Sequence, residues 1–211
     1  MGELPWTRNR TIPPREEAIR ALVRGVEEMP STADHSRLAR PGDEDILLEL
    51  FEQPEVNRWI YSLPRPLTRE SVGAYIEKSL AAQQAGEGLL SLNFDEAGKL
   101  AGYSEAQIWP EWAAGELAGA MRPDLQSAGQ GAKGMAKTFT WMFDALDLDL
   151  ICNTTALDNV RIQKLFEKTG FDYKGDIESV RPDGTTRASQ VWEISREAWM
   201  AGQGRDQGSI R

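Results

Sequence analysis

The residues best suited to chemistry lie in one stretch, 122–134, between a predicted strand and a predicted helix. This stretch carries Gly129, Gly131 and Gly134. Glycine lets backbone N–H groups approach a ligand closely, and a helix N-terminus adds partial positive charge, so the stretch predicts a phosphate-type anion site. The same spacing satisfies the dinucleotide fingerprint, and a glycine-rich helix start that binds nothing is a third interpretation.

The sequence around the glycines argues against a nucleotide site. A Rossmann unit places its glycine motif near the start of a parallel sheet, with an acidic residue at the end of the next strand. Here three predicted antiparallel strands come first, and the next predicted strand ends in Cys152 and Asn153. No Gly-Lys-Ser/Thr follows, which excludes a nucleotide P-loop. A nucleotide-dependent oxidoreductase is therefore a distant alternative.

The chain lacks the residues that other common catalytic mechanisms need. The chain has one histidine, His35, and one cysteine, Cys152. A catalytic triad would have to use His35, which lies in a polar linker. One cysteine excludes an intrachain disulfide framework and a cysteine-rich metal site, and we expect no metal. Cys152 ends an apolar strand and is interpreted as a packing residue.

Composition narrows the range of partners. The 211 residues carry 24 basic and 33 acidic side chains, a formal net charge of -9, so we expect no nucleic acid partner. The charge fits a cationic partner or simply favours solubility. No apolar run approaches the roughly 20 residues that cross a bilayer, and no secretory signal opens the chain, so we expect a cytoplasmic protein without membrane association.

An alternating series of helices and strands must position these candidates. After an N-terminal amphipathic helix at 15–29, the patterns predict one strand, two helices, three strands, a helix, a strand, a helix and two strands. This order is a mixed α/β layout. We expect an N-terminal extension at 1–35, one main domain at 36–200 and a flexible tail at 201–211.

Two motifs together resemble the GNAT N-acetyltransferase superfamily. The sequence at 126–131, Gln-Ser-Ala-Gly-Gln-Gly, resembles its Q/R-x-x-G-x-G/A motif. The segment 159–171 is similar to the second motif, an Asn-led helix ending in Glu-Lys-x-Gly-Phe, and 116–123 is similar to the preceding strand. The resemblance covers about 36–199 and is strongest to the branch that acetylates ribosomal-protein N-termini. It implies a mostly antiparallel twisted sheet with one parallel pair, flanked by helices.

This resemblance implies direct transfer of an acetyl group from acetyl-CoA to a primary amine, on a peptide N-terminus or a small molecule. Asn159 is implied to bond the pantetheine arm, although it could instead cap its helix. The implied cofactor-binding residues are Ala120, Met121, Arg122, Gln126, Ser127, Ala128, Gly129, Gln130, Gly131 and Asn159.

The catalytic residues follow from the same resemblance. Glu116 is implied to be the general base, with a solvent-facing or ion-paired strand residue as the alternative, and Glu105 is the reserve candidate. Ile162 and Phe166 occupy the positions where the family usually has its acid, and neither can donate a proton. Tyr173 is the next candidate acid, although a thiolate with a pKa near 8.5 can also leave unaided.

The missing acid motivates a second hypothesis, a non-catalytic acyl-CoA-binding module that serves as a sensor or interaction domain. The acceptor amine stays open because its specificity is expected in loops near 57–65 and 109–114. Trp109 and Trp112 either wall the acceptor pocket, where cation–π contact would favour a cationic amine, or cover the core. The oligomeric state, including a homodimer, is equally open.

Overall fold

The computed structural model describes residues 4–126 and 129–208, with side chains of the last helix described to residue 202. The helices are α1 (Pro13–Arg24), α2 (Glu44–Phe51), α3 (Pro54–Asn57), α4 (Arg69–Ala85), α5 (Gln130–Ala145), α6 (Val160–Thr169) and α7 (Arg196–Gly208). The strands are β1 (His35–Leu38), β2 (Gly88–Phe94), β3 (Leu100–Trp109), β4 (Ala114–Met121), β5 (Leu150–Ala156), β6 (Asp172–Val180) and β7 (Thr186–Ser195).

The seven strands form one sheet in the order β1-β2-β3-β4-β5-β7-β6. Every neighbouring pair is antiparallel except β4 and β5. These two parallel strands pair only at Ala114 with Leu150 and Gly115 with Ile151. The mixed α/β fold predicted from the sequence, a mostly antiparallel sheet with one parallel pair, is confirmed.

Hydrophobic clusters cover both faces of the sheet, as alternating strand residues require. One cluster packs α1, α5, α6 and α7 against one face, with Phe139 and Phe166 fully buried at its centre. The other packs α2 and α4 against the opposite face around Phe51 and Tyr103, whose rings meet edge to face at 5.0 Å. Each buried phenylalanine of these clusters contributes about 1.5–3 kcal/mol by leaving water.

Local sequence signals set the helix ends next to the sheet. The Thr68 hydroxyl accepts a hydrogen bond from the Ser71 N–H at 3.1 Å, and the Ser71 hydroxyl accepts one from the Thr68 N–H at 3.0 Å. This reciprocal cap starts α4 at the predicted position. Gly170 ends α6 with a φ of 85°, the left-handed cap that the sequence predicts.

Three predicted boundaries differ from the structure. α1 ends at Arg24, before the predicted end at Met29, because Gly25 caps it. β1 covers His35–Leu38 instead of 38–41, since those residues pair with β2. β5 covers Leu150–Ala156 instead of 148–152, because β7 pairs along its whole length and keeps its polar second half extended.

The N-terminal extension is part of the same packed body. Ile19 and Val23 of α1 are 0% exposed in the core, and the Arg15 guanidinium forms ion pairs with Asp147 and Asp149. At the other end, α7 runs through 201–208, where the sequence predicts a flexible tail. Within the described part of the chain, no helix is long and apolar enough to span a membrane.

Candidate active site

The central feature is a cleft where β4 and β5 separate. After the two paired positions at 114–115, the strands are joined by the side chain of Asn153. Its Nδ2 donates to the Leu117 carbonyl at 2.6 Å, and the Leu117 N–H donates to its Oδ1 at 3.4 Å. Beyond Leu117, no backbone hydrogen bond joins the two strands within the described residues. The β4 edge is therefore open to a ligand that offers amide groups.

A cavity of about 860 Å³ runs through this cleft. Its walls come from β4, from β5 and α6, from the glycine loop before α5, and from the loop between α3 and α4. A volume in this range holds a ligand larger than a simple metabolite. The cleft thus connects the α5–α6 side of the sheet with the α2–α4 side.

The glycine loop lies at one end of the cavity, at the N-terminus of α5. Gly129 has a φ of 91°, in the left-handed region that favours glycine, and it provides the N-cap of α5. A Cβ added at Gly129 or Gly131 would meet nothing within 4 Å, so there is open space beside the backbone. Helix-terminal N–H groups facing open space can bind an anion.

Most of the predicted cofactor-binding residues meet at this cavity. Those that line it are Ala120, Met121, Gly129, Gln130, Gly131 and Asn159. The remaining two described residues, Arg122 and Gln126, do not line it. Ser127 and Ala128 lie outside the described residues.

The side chains of Arg122 and Gln126 are occupied elsewhere. Arg122, 12% exposed, forms ion pairs with Asp95 at 3.0 Å and Asp124 at 2.7 Å. The Gln126 Nε2 donates to the Met121 carbonyl at 2.9 Å. These contacts hold both side chains at the end of β4 and the start of the glycine loop, away from the cavity.

The start of α6 contributes a second wall. Asn159 lines the cavity and also caps α6, since its Oδ1 accepts from the Ile162 N–H at 3.4 Å. Arg161, Lys164 and Lys168 also line the cavity. Their spacing of three and four residues puts them on one helix face, a signal that sequence reasoning missed. This face can neutralise the charge of an anionic ligand.

Glu116 lies where the two strands begin to separate. It is 8% exposed, and its Oε1 accepts from the Thr154 hydroxyl at 2.8 Å and the Thr154 N–H at 3.2 Å. Its Oε2 makes no hydrogen bond to any described residue, and the side chain lines the cavity. Glu116 is thus neither exposed nor ion-paired, the two alternatives considered for it.

The surroundings of Glu116 suit a base that works near neutral pH. Burial raises the pKa of Glu116 to about 7; the Thr154 hydrogen bonds lower it, and nearby Glu105 raises it further. Arg187 opposes the shift from farther away. A carboxyl with this pKa is ionised in a large fraction of molecules at neutral pH and is basic enough to take a proton.

The reserve base, Glu105, is close but does not line the cavity. It pairs with Ala118 while Gln107 pairs with Glu116, so Glu105 and Glu116 share a face of the sheet as diagonal neighbours. Burial raises the pKa of Glu105, and the charge of Lys78 opposes this rise. Glu116 is therefore the better-placed carboxylate.

The structure does not bring Tyr173, the candidate acid, to the cavity. Tyr173 is 49% exposed on β6, and its hydroxyl donates to Asp176 at 2.8 Å. Its ring packs 5.4 Å from that of Trp192. Ile162 and Phe166 do line the cavity, so the positions that lack a proton donor lie where an acid would be needed.

Sequence reasoning located the α3–α4 loop but missed the residues that it brings to the cavity. Trp59 and Tyr61 line the end near Glu116, together with Arg187 of β7. The charge of Glu116 and burial raise the pKa of Tyr61, so its hydroxyl keeps its proton. Trp109, from the other predicted specificity loop, lines a separate cavity of about 40 Å³ that also reaches Glu116.

The one cysteine and the one histidine of the chain do not line the cavity. Cys152 is buried in β5, and burial raises the pKa of its thiol, as a packing role predicts. His35 lies exposed in β1. Within residues 4–126 and 129–208, no three His, Cys, Asp or Glu side chains come together in a way that could hold a metal ion.

The structure resembles solved acetyltransferases. Ribosomal-protein-S5-alanine acetyltransferase from Vibrio fischeri has a TM-score of 0.64 and 17% identity over 78% of this chain and 93% of that one. Spermidine N-acetyltransferase from Vibrio cholerae, solved with CoA and spermine, has a TM-score of 0.65 and 17% identity over 79% and 97%. Mycobacterium smegmatis RimJ, solved with CoA-disulfide, has a TM-score of 0.64 and 16% identity over 77% and 81%.

These identities are low, and the likeness shows a shared fold. No curated protein sequence matches the chain. The GNAT acetyltransferase domain family, however, matches residues 37–172, more than half of the chain. This match covers β4, the glycine loop and α6, the elements on which the resemblance was based. The chain therefore belongs to the GNAT family of N-acetyltransferases.

Proposed function

We propose that the protein transfers an acetyl group from acetyl-CoA to a primary amine, with Glu116 as the general base. The observation that carries the proposal is the buried, cavity-facing carboxylate of Glu116, whose pKa is raised to about 7 where β4 and β5 separate. An amine is mostly protonated near neutral pH, so it must lose a proton before it can attack.

The cavity has the features that acetyl-CoA requires. The N–H groups at the start of α5 can bind the pyrophosphate, and the basic face of α6 at 161–168 can meet the other phosphate charge. The open β4 edge offers backbone groups to the pantetheine amides. The hydroxyl of Thr155 lines the cavity, buried and without a partner among the described residues, and can bond the same arm.

The co-substrate supplies an acetyl group already activated as a thioester. Glu116 Oε2 takes a proton from the ammonium of the acceptor, and the neutral nitrogen forms the new bond to the carbonyl carbon as the bond to sulfur breaks. The thiolate carries away the electron pair of that bond. The nitrogen, cationic after the attack, loses its second proton to become the amide, and the thiolate takes up a proton to become CoA. Since the pKa of the CoA thiol is near 8.5, the thiolate can leave although Ile162 and Phe166 cannot donate a proton to it.

Thiol release from acetyl-CoA with a panel of primary amines tests the proposal. We expect turnover with at least one amine and a fall of about 10²- to 10⁴-fold in kcat for Glu116→Gln. Glu105→Gln is the matched control, because it removes the neighbouring half-buried carboxylate, which does not line the cavity. Tight CoA binding with no turnover on any amine would instead support the sensor or interaction module.

A further inference from the structure

Arg187 of β7 lines the cavity close enough to Glu116 for their charges to interact, and its position is fixed on two sides. Its Nη1 donates to the Trp59 carbonyl at 2.6 Å, and its Nε donates to the Ser189 hydroxyl at 3.1 Å. The guanidinium carbon lies 4.9 Å from the centre of the Tyr61 ring. These contacts hold the guanidinium rigidly at the wall of the cavity.

The guanidinium of Arg187 still has unused hydrogen-bonding capacity. Its Nη2 donates to no described residue, and no carboxylate lies within the 4 Å of an ion pair in the part of the chain that the structure describes. Burial lowers the pKa of Arg187, while Glu116 and Asp158 act on it only from longer range. Arginine held in this way is suited to bidentate recognition of a carboxylate or phosphate.

The phosphates of acetyl-CoA are expected elsewhere in the cavity. The glycine loop follows the far end of β4, and five residues of extended strand separate Glu116 from Met121, about 16 Å. Arg187 is at the Glu116 end, where the acceptor must bring its amine. The anion that meets Arg187 therefore comes from the acceptor.

The charges at this end also argue against a polyamine. Among the residues from the α3–α4 loop, the start of β4 and β7 that line it, Glu116 is the one carboxylate and Arg187 the one fully cationic group. A polyamine would need further carboxylates for its additional ammonium groups, and it would face the charge of Arg187. An acceptor with one amine and one carboxylate matches both side chains.

We propose that Arg187 binds the carboxylate of a small acceptor that carries its primary amine a few bonds away, as in an α-amino acid. This inference rests on the proposed function, because Glu116 must receive the amine at the same end of the cavity. It replaces the cationic acceptor suggested by the net charge with a zwitterionic one, and it makes Arg187 a specificity-determining residue.

Kinetics with matched pairs of α-amino acids and their carboxamides tests the inference. We expect the wild type to prefer the acid about 10- to 100-fold in kcat/KM, since one charge-assisted contact is at stake. Arg187→Gln should lose this preference through the KM of the acid, with little change for the carboxamide, and Arg187→Lys should keep part of it. Arg58→Gln is the control, because exposed Arg58 packs on the Trp59 ring of the same loop.

A binding measurement separates this inference from the proposed function. Calorimetry with CoA present compares an N-acetylated amino acid with its carboxamide and needs no turnover. Preferential binding of the acid that is lost in Arg187→Gln supports the inference even if no amine is acetylated, which would refute the proposed function. Equal use or binding of acid and carboxamide overturns the inference. An equal loss for both ligands in Arg187→Gln and Arg187→Lys also overturns it, because Arg187 would then only hold Trp59.

Discussion

The buried carboxylate of Glu116 makes a prediction that links stability to function. Its pKa is about 7 in the folded protein against 4.5 for the free side chain. Below pH 4.5 the carboxyl is protonated in both the folded and the unfolded state, so its ionisation does not lower the free energy of unfolding. Between 4.5 and 7 the unfolded state loses the proton first, and the folded state becomes less stable as the pH rises.

The loss of stability that ionised Glu116 causes follows from the two pKa values. Each pH unit between them is worth about 1.4 kcal/mol, so ionisable Glu116 lowers the free energy of unfolding by about 3 kcal/mol at pH 8 and by under about 1 kcal/mol at pH 5. Glutamine cannot ionise, and its carbonyl can still accept from Thr154. Glu116→Gln should therefore be more stable than the wild type at pH 8 and close to it at pH 5.

Urea unfolding of both proteins at pH 5 and pH 8 measures this difference. In a thermal melt, the gain at pH 8 should appear as a rise of about 6–12 °C in Tm. The matched control is Glu178→Gln, which changes an exposed strand glutamate and should alter stability by under about 0.5 kcal/mol at both pH values.

The same variant should lose acetyl transfer. A protein that is more stable and yet inactive cannot owe its inactivity to misfolding, so the pair of results isolates the carboxylate of Glu116 as the functional group. Equal stability of Glu116→Gln and wild type at both pH values, or a gain of the same size at both, would show that Glu116 titrates like an exposed glutamate and has no raised pKa.

Three further substitutions test other parts of the site. Asn153→Ala removes the bridge to Leu117, so it should lower the free energy of unfolding by about 1–3 kcal/mol in urea and raise the KM for acetyl-CoA; unchanged values would show that the bridge is not needed. Lys164→Gln should weaken CoA binding about 3- to 10-fold in calorimetry at low salt and less at high salt, and an effect independent of salt would contradict its charge role. Tyr173→Phe should keep kcat within about twofold, because Tyr173 lies outside the cavity, and a hundredfold loss would restore it as the acid.

Local sequence patterns were sufficient for much of this site. The glycine loop and the Asn159 cap lie in two motifs, and Glu116 lies in the strand that precedes the first of them, so each is identified by its neighbours in the chain. The structure brings most of them to one cavity, as the motifs imply. Arg122 and Gln126 are the exceptions among the described residues. Arg122 pairs with Asp95 of the β2–β3 turn and Gln126 bonds the Met121 carbonyl, contacts that a sequence pattern does not show.

The acceptor end could not be predicted in this way. Arg187 meets Trp59 across 128 positions in the chain, and the contact exists only because β7 pairs with β5 beside the α3–α4 loop. The sequence predicts a strand that ends at Asn153, whereas β5 continues to Ala156. The role of Asn153 depends on the separation of β4 and β5, which is a property of the assembled sheet.

The pH dependence of kcat/KM tests directly whether Glu116 acts as the base. The wild type and Glu116→Gln are compared with the same amine, so that the titration of the amine cancels in their ratio. We expect the ratio of wild-type kcat/KM to that of Glu116→Gln to rise about tenfold per pH unit below pH 7 and to level off above it. A ratio that stays constant across this range would contradict the claim.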